Sequence, residues 1–258
     1  MSNLKKALPG IMILILGYLA MSIISGMTAS QAGISGALPY FVGILTLCLS
    51  TYFLSRMDFS SGLAVGLIIS GLLFLIASRY VLHEVMINLW IMASAIWLAY
   101  IVSLLIREVN ILFPIALVAA LADIWSVYYG PTAKMLQNEA LVDKMIVTYP
   151  GPAGGPHLPL FGLGDVLFFF LFVLVIRKLK LFNSFRYILL SLSLVVAGII
   201  AFAYRQSVPG IPFMSAALLS TLSGELKLSY DERRYLAYLF GLICFLIAIG
   251  ISFTFLGR

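Results

Sequence analysis

The sequence predicts an all-α protein, a polytopic transmembrane helical bundle of about nine spans. Three observations carry that prediction. Hydrophobic residues fill 62% of the 258 positions and charged residues only 10%; mean hydropathy is +1.10; and long apolar runs recur from end to end with short polar gaps between them. Soluble domains carry about 25% charged residues, whereas a hydrocarbon core ~30 Å thick asks for ~17 to 25 mostly apolar residues per helix.

Taken in order, the runs lie near 9–28, 38–54, 61–78, 86–105, 111–129, 160–176, 186–204, 211–223 and 235–256. The first follows "MSNLKK" and reads as a retained span, because nothing after Gly26 resembles a cleavage site. Cys48 and Cys244 lie inside the second and ninth runs without metal-type spacing, as packing residues rather than a disulfide. "GLAVG" at 62–66 permits close helix contact, and Pro114 is expected to kink the fifth run. All runs are apolar on every side, whereas barrel strands would read as ~10-residue alternating segments. Strand-like signal is confined to the loop 130–160, where the β-prone residues 145–149 of "KMIVTYPGPAGGP" precede a Pro/Gly-rich turn.

Charge supplies an orientation. With the N-terminus inside and nine spans, Lys5, Lys6, Arg56, Arg107, Arg177, Lys178, Lys180, Arg186, Lys227, Arg233 and Arg234 are cytoplasmic, and Arg79, Lys134, Lys144, Arg205 and Arg258 are outside. Eleven against five satisfies the positive-inside rule. It also accounts for a pI near 9.3 as a topology signal, with no nucleic-acid partner required. The chain is thus expected to be a multi-pass integral membrane protein, N-terminus cytoplasmic and C-terminus outside, with the lipid bilayer as its solvent. Self-association into a homo-oligomer is compatible with this composition.

Eight of the ten acidic residues fall in loops or at span edges, and two do not: Asp123 in "ALVAALADIWSVYYG" and Asp165 just after "LFGLG". An aspartate at the centre of a spanning helix costs ~2.5 to 3.5 kcal/mol on insertion scales, so both are functional candidates. Asp123 precedes Tyr129 by six residues and Asp165 follows Leu160 by five. At ~1.5 Å per residue, both carboxylates are expected roughly 8 to 9 Å below the outer edge, on consecutive antiparallel helices. None of the sixteen basic residues lies deep in a span, which argues against a salt bridge. Two carboxylates without a cation share a proton, so one can take a proton from water while its protonated partner polarises a scissile carbonyl. Acids so placed also serve proton relays in transporters, and residues alone leave both uses open.

"ADIWSVYYGPTAKM", "LFGLGDVLFF" and "VPGIPFM", in that order, resemble the presenilin and signal peptide peptidase family of intramembrane aspartyl proteases. The family pattern is a first aspartate followed by apolar and aromatic residues, a GxGD on the next helix, and a Pro-Ala-Leu segment two helices later. Asp123 matches the first aspartate; Gly162, Gly164 and Asp165 match GxGD; Pro209, Gly210, Ile211 and Pro212 ("PGIP") stand in the Pro-Ala-Leu place. The resemblance covers residues 115–223 and implies an Asp123/Asp165 catalytic dyad that needs neither metal nor cofactor and acts on transmembrane peptide substrates. It also implies substrate contact at Gly162, Gly164 and residues 209–212. One integral membrane domain, 1–258, would then hold scaffold spans at about 1–106, a catalytic core at about 111–223 and an extra span at about 235–256. Two departures stand: Gly210 and Ile211 replace alanine and leucine, and four spans rather than five precede the first aspartate helix. An outside loop between the aspartates matches the signal peptide peptidase branch and implies substrates with a cytoplasmic N-terminus.

Elementary chemistry gives each segment a use. Glycines at 162 and 164 leave room for backbone to approach Asp165. "PGIP" cannot be plain helix, since Pro209 and Pro212 lack donors, and its carbonyls are free to meet an unwound substrate. Ile146, Val147 and Thr148 are expected to pair with that substrate as an added strand. Rival chemistries leave weaker marks. "HEVMI" at 83–87 has Ile87 where a zinc motif needs its second histidine. "GISG" at 33–36 offers Ser35 as a nucleophile but lies between spans, with only His83 and His157 following. The prepilin-type GxGD peptidases and a proton-coupled transporter remain the alternatives.

Overall fold

The computed structural model describes residues 9–10, 12–17, 19–21, 23, 34–56, 84–130, 132, 146–149, 158–204, 207–227, 229–232, 234–235, 237–238, 240–241 and 245. The apolar runs within them become helices: α1 (Ile34–Leu54), α2 (Glu84–Leu105), α3 (Val109–Tyr128), α4 (Leu163–Lys178), α5 (Ser184–Tyr204) and α6 (Ile211–Leu222). Described residues within 9–23 and 230–245 are helical too. Two strands, β1 (Ile146–Tyr149) and β2 (Leu158–Gly162), form an antiparallel hairpin. Among the described residues, α3 and α5 are long and apolar enough to cross a membrane. The expected span at 61–78, Cys244 and both histidines lie outside the described residues.

Two expectations change at element boundaries. Residues 160–162, read as the start of a span, belong to β2, because Pro159 and Gly162 disfavour helix there and β1 supplies a partner. Val147 faces Phe161 and Thr148 faces Pro159, so the register skips Leu160 beside a residue that has no N–H to give. Residues 34–36 of "GISG", placed between spans by sequence, form the first turn of α1.

The chain divides into two compact units, Met1–Leu105 with Ala140–Phe182, and Ile106–Glu139 with Asn183–Arg258. In the first, α4 is the core helix. Its residues 169–176 are all buried, phenylalanines included, as a helix apolar on every side requires. Helix α2 lies along it, α1 touches it, β1 rests on α2, and β2 runs directly into its N-terminus. The helical residues near the N-terminus pack against α1 through glycines. A Cβ on Gly10 would stand 2.8 Å from Leu54 Cγ, and one on Gly17 would fall inside the Thr46 side chain, so this approach excludes any larger residue.

Three helix C-termini converge in this unit. Arg177 Nε donates to Ser55 Oγ (2.7 Å) just past α1, and Lys178 Nζ donates to the Ser103 carbonyl (2.7 Å) in the last turn of α2. The Arg177 guanidinium also lies 3.7 Å from the Phe182 ring centroid. Cations here meet carbonyls that helix ends leave unbonded and the negative end of each helix dipole. Helix α4 itself closes with Leu181 N–H on Ile176 O (2.8 Å) and Lys180 N–H on Arg177 O (2.9 Å), with Lys180 in the left-handed region at φ 60°.

In the second unit α6 packs between α3 and α5. Arg186, in the first turn of α5, pairs with Glu225 and donates to Thr221 O (3.2 Å) at the far end of α6, so those helices run antiparallel. Phe185, Ile188, Leu192, Val196, Ile199 and Phe202 form one exposed stripe along α5, opposite buried Leu190, Ser193, Leu194, Ala197 and Gly198. The helical residues from 230 onward begin with a reciprocal cap, Ser229 N–H on Glu232 Oε2 (2.6 Å) and Glu232 N–H on Ser229 Oγ (3.2 Å).

Candidate functional site

Asp165 sits in the first turn of α4, at the third helical position. Two elements fix it there: β2 ends at Gly162, whose extended backbone (φ −68°, ψ 152°) makes it the N-cap of α4. The Gly162 N–H donates back to Asp165 Oδ2 at 3.2 Å. The bond caps the start of α4, where a carboxylate is favoured by the positive end of the helix dipole. A Cβ on Gly162 would stand 3.4 Å from the same oxygen, an ordinary van der Waals contact, so the residue lies directly against the carboxylate. Because α4 begins at Leu163, Asp165 lies nearer the helix end than a span beginning at 160 implied.

Asp123 stands five residues before the end of α3 and is half-buried. Its Oδ2 accepts a hydrogen bond of 3.1 Å from the Ile211 N–H. "PGIP" explains why that donor is waiting. Gly210 is the N-cap of α6, Ile211 and Pro212 open the helix, and the first bond within it is Met214 N–H on Gly210 O at 3.2 Å. Proline is favoured in a first turn because its missing donor costs nothing there, but the Ile211 amide has no acceptor inside its own helix. Asp123 supplies one from another helix.

The sequence expected "PGIP" to depart from plain helix, and half of it does. Pro209 and Gly210 precede α6, whereas Ile211 and Pro212 are helical; Pro209, Gly210 and Ile211 are buried. The structure therefore joins the predicted site residues in two groups. Gly162, Gly164 and Asp165 share the entry to α4 in the first unit, and Asp123 and residues 209–212 meet in the second. Ile146, Val147 and Thr148 form the expected strand, but their partner is β2 of the same chain.

Three polar residues of the second unit escaped sequence reading. Ser215, buried in α6, donates to Ala116 O of α3 at 3.0 Å. Asn110, on α3, gives its Nδ2 hydrogen to Lys227 O and accepts from Lys227 N–H, each at 3.1 Å. Glu232 completes the cap at Ser229; "SYDE" at 229–232 is a legible capping signature, whereas nothing local marks Ser215 or Asn110. Among the described residues no three His, Cys, Asp or Glu side chains are grouped as metal ligands. Comparison with family models, with curated proteins and with solved structures returned no match to the chain.

Proposed function

We propose that the chain is an intramembrane aspartyl protease, a multi-pass membrane protein that hydrolyses peptide bonds of transmembrane or signal-peptide segments. Asp123 and Asp165 are its two acids. The observation that carries this is the ordered set of first aspartate, GxGD and "PGIP", two of whose members meet in the Ile211 bond to Asp123. One carboxylate takes a proton from water as its oxygen attacks the carbonyl carbon, and the protonated partner donates to the carbonyl oxygen. When the C–N bond breaks, the departing amine receives a proton. Gly162 and Gly164 admit substrate backbone to Asp165, and the edge of β1 that β2 does not use is where an unwound substrate adds as a strand.

Support for a membrane setting comes from several helices. Helices α3 and α5 have spanning length, α1 runs 21 residues without a charge, and the exposed face of α5 is apolar from Phe185 to Phe202. Arg56, Arg177 and Lys178 gather at the C-terminal ends of α1, α2 and α4, where a cytoplasmic surface places its cations.

A second reading is favoured by the same bonds, since each aspartate accepts an amide at a helix N-terminus and would serve as a structural cap. The test uses asparagine, whose side-chain oxygen keeps the cap and whose neutral amide ends acid–base work. Purified protein in lipid, given a model transmembrane peptide, should cleave it, and Asp123→Asn and Asp165→Asn should each abolish cleavage. Cleavage surviving either change would leave the caps structural, and proton-coupled uptake lost in both would point to a transporter.

A further inference from the structure

We infer that Ser215 and Asn110 are positioning residues, which lock the register of α6 against α3 so that the Ile211 amide stays on Asp123; their effect on catalysis rests on the protease proposed above. Helix α6 is tied to α3 at three heights: Asp123 with Ile211, Ala116 with Ser215, and Asn110 with Lys227 just beyond the end of α6. Along α3 these ties are seven and six residues apart, about 10 and 9 Å at 1.5 Å per residue, so they span most of the helix.

Ser215 is distinguished by where its hydroxyl goes. Ser193, Ser220, Thr221 and Ser223 each donate to a carbonyl three residues back in the chain, the usual habit of a helical hydroxyl. Ser215 instead crosses to α3, from a fully packed position one turn below Ile211. Between apolar helices such a bond has no competing water and sets rotation and height together. Asn110 acts at the opposite end as a two-point clamp on the Lys227 backbone, five residues past α6, and so limits how far the segment leaving that helix can shift along α3. A slip of α6 by a single residue would turn Ile211 by about 100° and carry its N–H away from Asp123.

The Ile211 amide reports register independently of catalysis, because its only route to protection in the first turn of α6 is an acceptor outside that helix. Full-length protein in lipid nanodiscs would be compared with Ser215→Ala, Ser215→Thr and Asn110→Ala, by hydrogen exchange over residues 210–214 and by kcat and KM on a model transmembrane peptide. Ser215→Ala should speed exchange at Ile211 about tenfold and lower kcat about tenfold with KM little changed, as displacement of a reacting group does. Ser215→Thr should restore both, and Asn110→Ala, at a partly exposed site that tolerates truncation, should move both the same way by less. Parental exchange at Ile211 in Ser215→Ala and Asn110→Ala would overturn the inference, as would kcat and KM changing together while Ile211 stays protected. If the parent cleaves nothing, the protease proposal fails, and the exchange measurement alone decides the register lock.

Discussion

Asp165 and Asp123 do the same local chemistry by different routes. Asp165 accepts from an amide three residues back, within one turn of its own helix; Asp123 accepts from an amide 88 residues further along the chain. The first bond needs only the local fold of β2 into α4. The second exists only when α6 lies antiparallel to α3 at the correct height, so it is a product of the packed unit.

Catalysis separates the two least and gives the largest effect. If both acids react, Asp123→Asn and Asp165→Asn each lower peptide cleavage by about a thousandfold or more, within the usual range for an acid or base, while melting temperatures barely move. Unequal losses, with one variant still active, would break the symmetry and leave a single cap.

Stability should then pull the pair apart. Asp123→Ala strands the Ile211 amide inside the second unit and should cost about 2 kcal/mol, whereas Asp165→Ala removes a local cap worth about 1 kcal/mol. Thermal unfolding in detergent measures both. An equal cost would mean that the bond across helices contributes no more than the local one.

Exchange sharpens the contrast further. The Gly162 amide should open by fraying at the start of α4 and show little dependence on denaturant, while Ile211 should open only as α3 and α6 separate and show a steep one. Similar slopes would place both bonds in one cooperative element.

The smallest effect belongs to the other local cap. Ser229 N–H, followed by the Ser229 hydroxyl, holds Glu232 below the ordinary glutamate value of 4.5. A carboxylate lowered in the folded state contributes at neutral pH and loses that contribution as pH falls through its folded value. Circular dichroism should therefore show slight loss of helix as pH falls below the ordinary glutamate value of 4.5 in the parent, and Glu232→Gln should flatten that response.

Much of this was legible in the sequence because it depends on neighbours. Among the described residues the apolar runs became helices, and the β-prone residues 145–149 produced β1. The start of α4 was not legible, because 160–162 are apolar enough for a span and only pairing with β1 makes them a strand. Nor was the division into two units, with GxGD belonging to the first and "PGIP" to the second.

Hydropathy along the sequence determined that the described apolar runs would be helical, since hydropathy and backbone hydrogen bonding act over a few residues. It also determined which carboxylates would be costly to bury. Only tertiary structure decided what Asp123 touches: Ile211 reaches it because Ser215 and Asn110 hold two segments in register, and contacts set by relative height leave no periodic mark on a sequence.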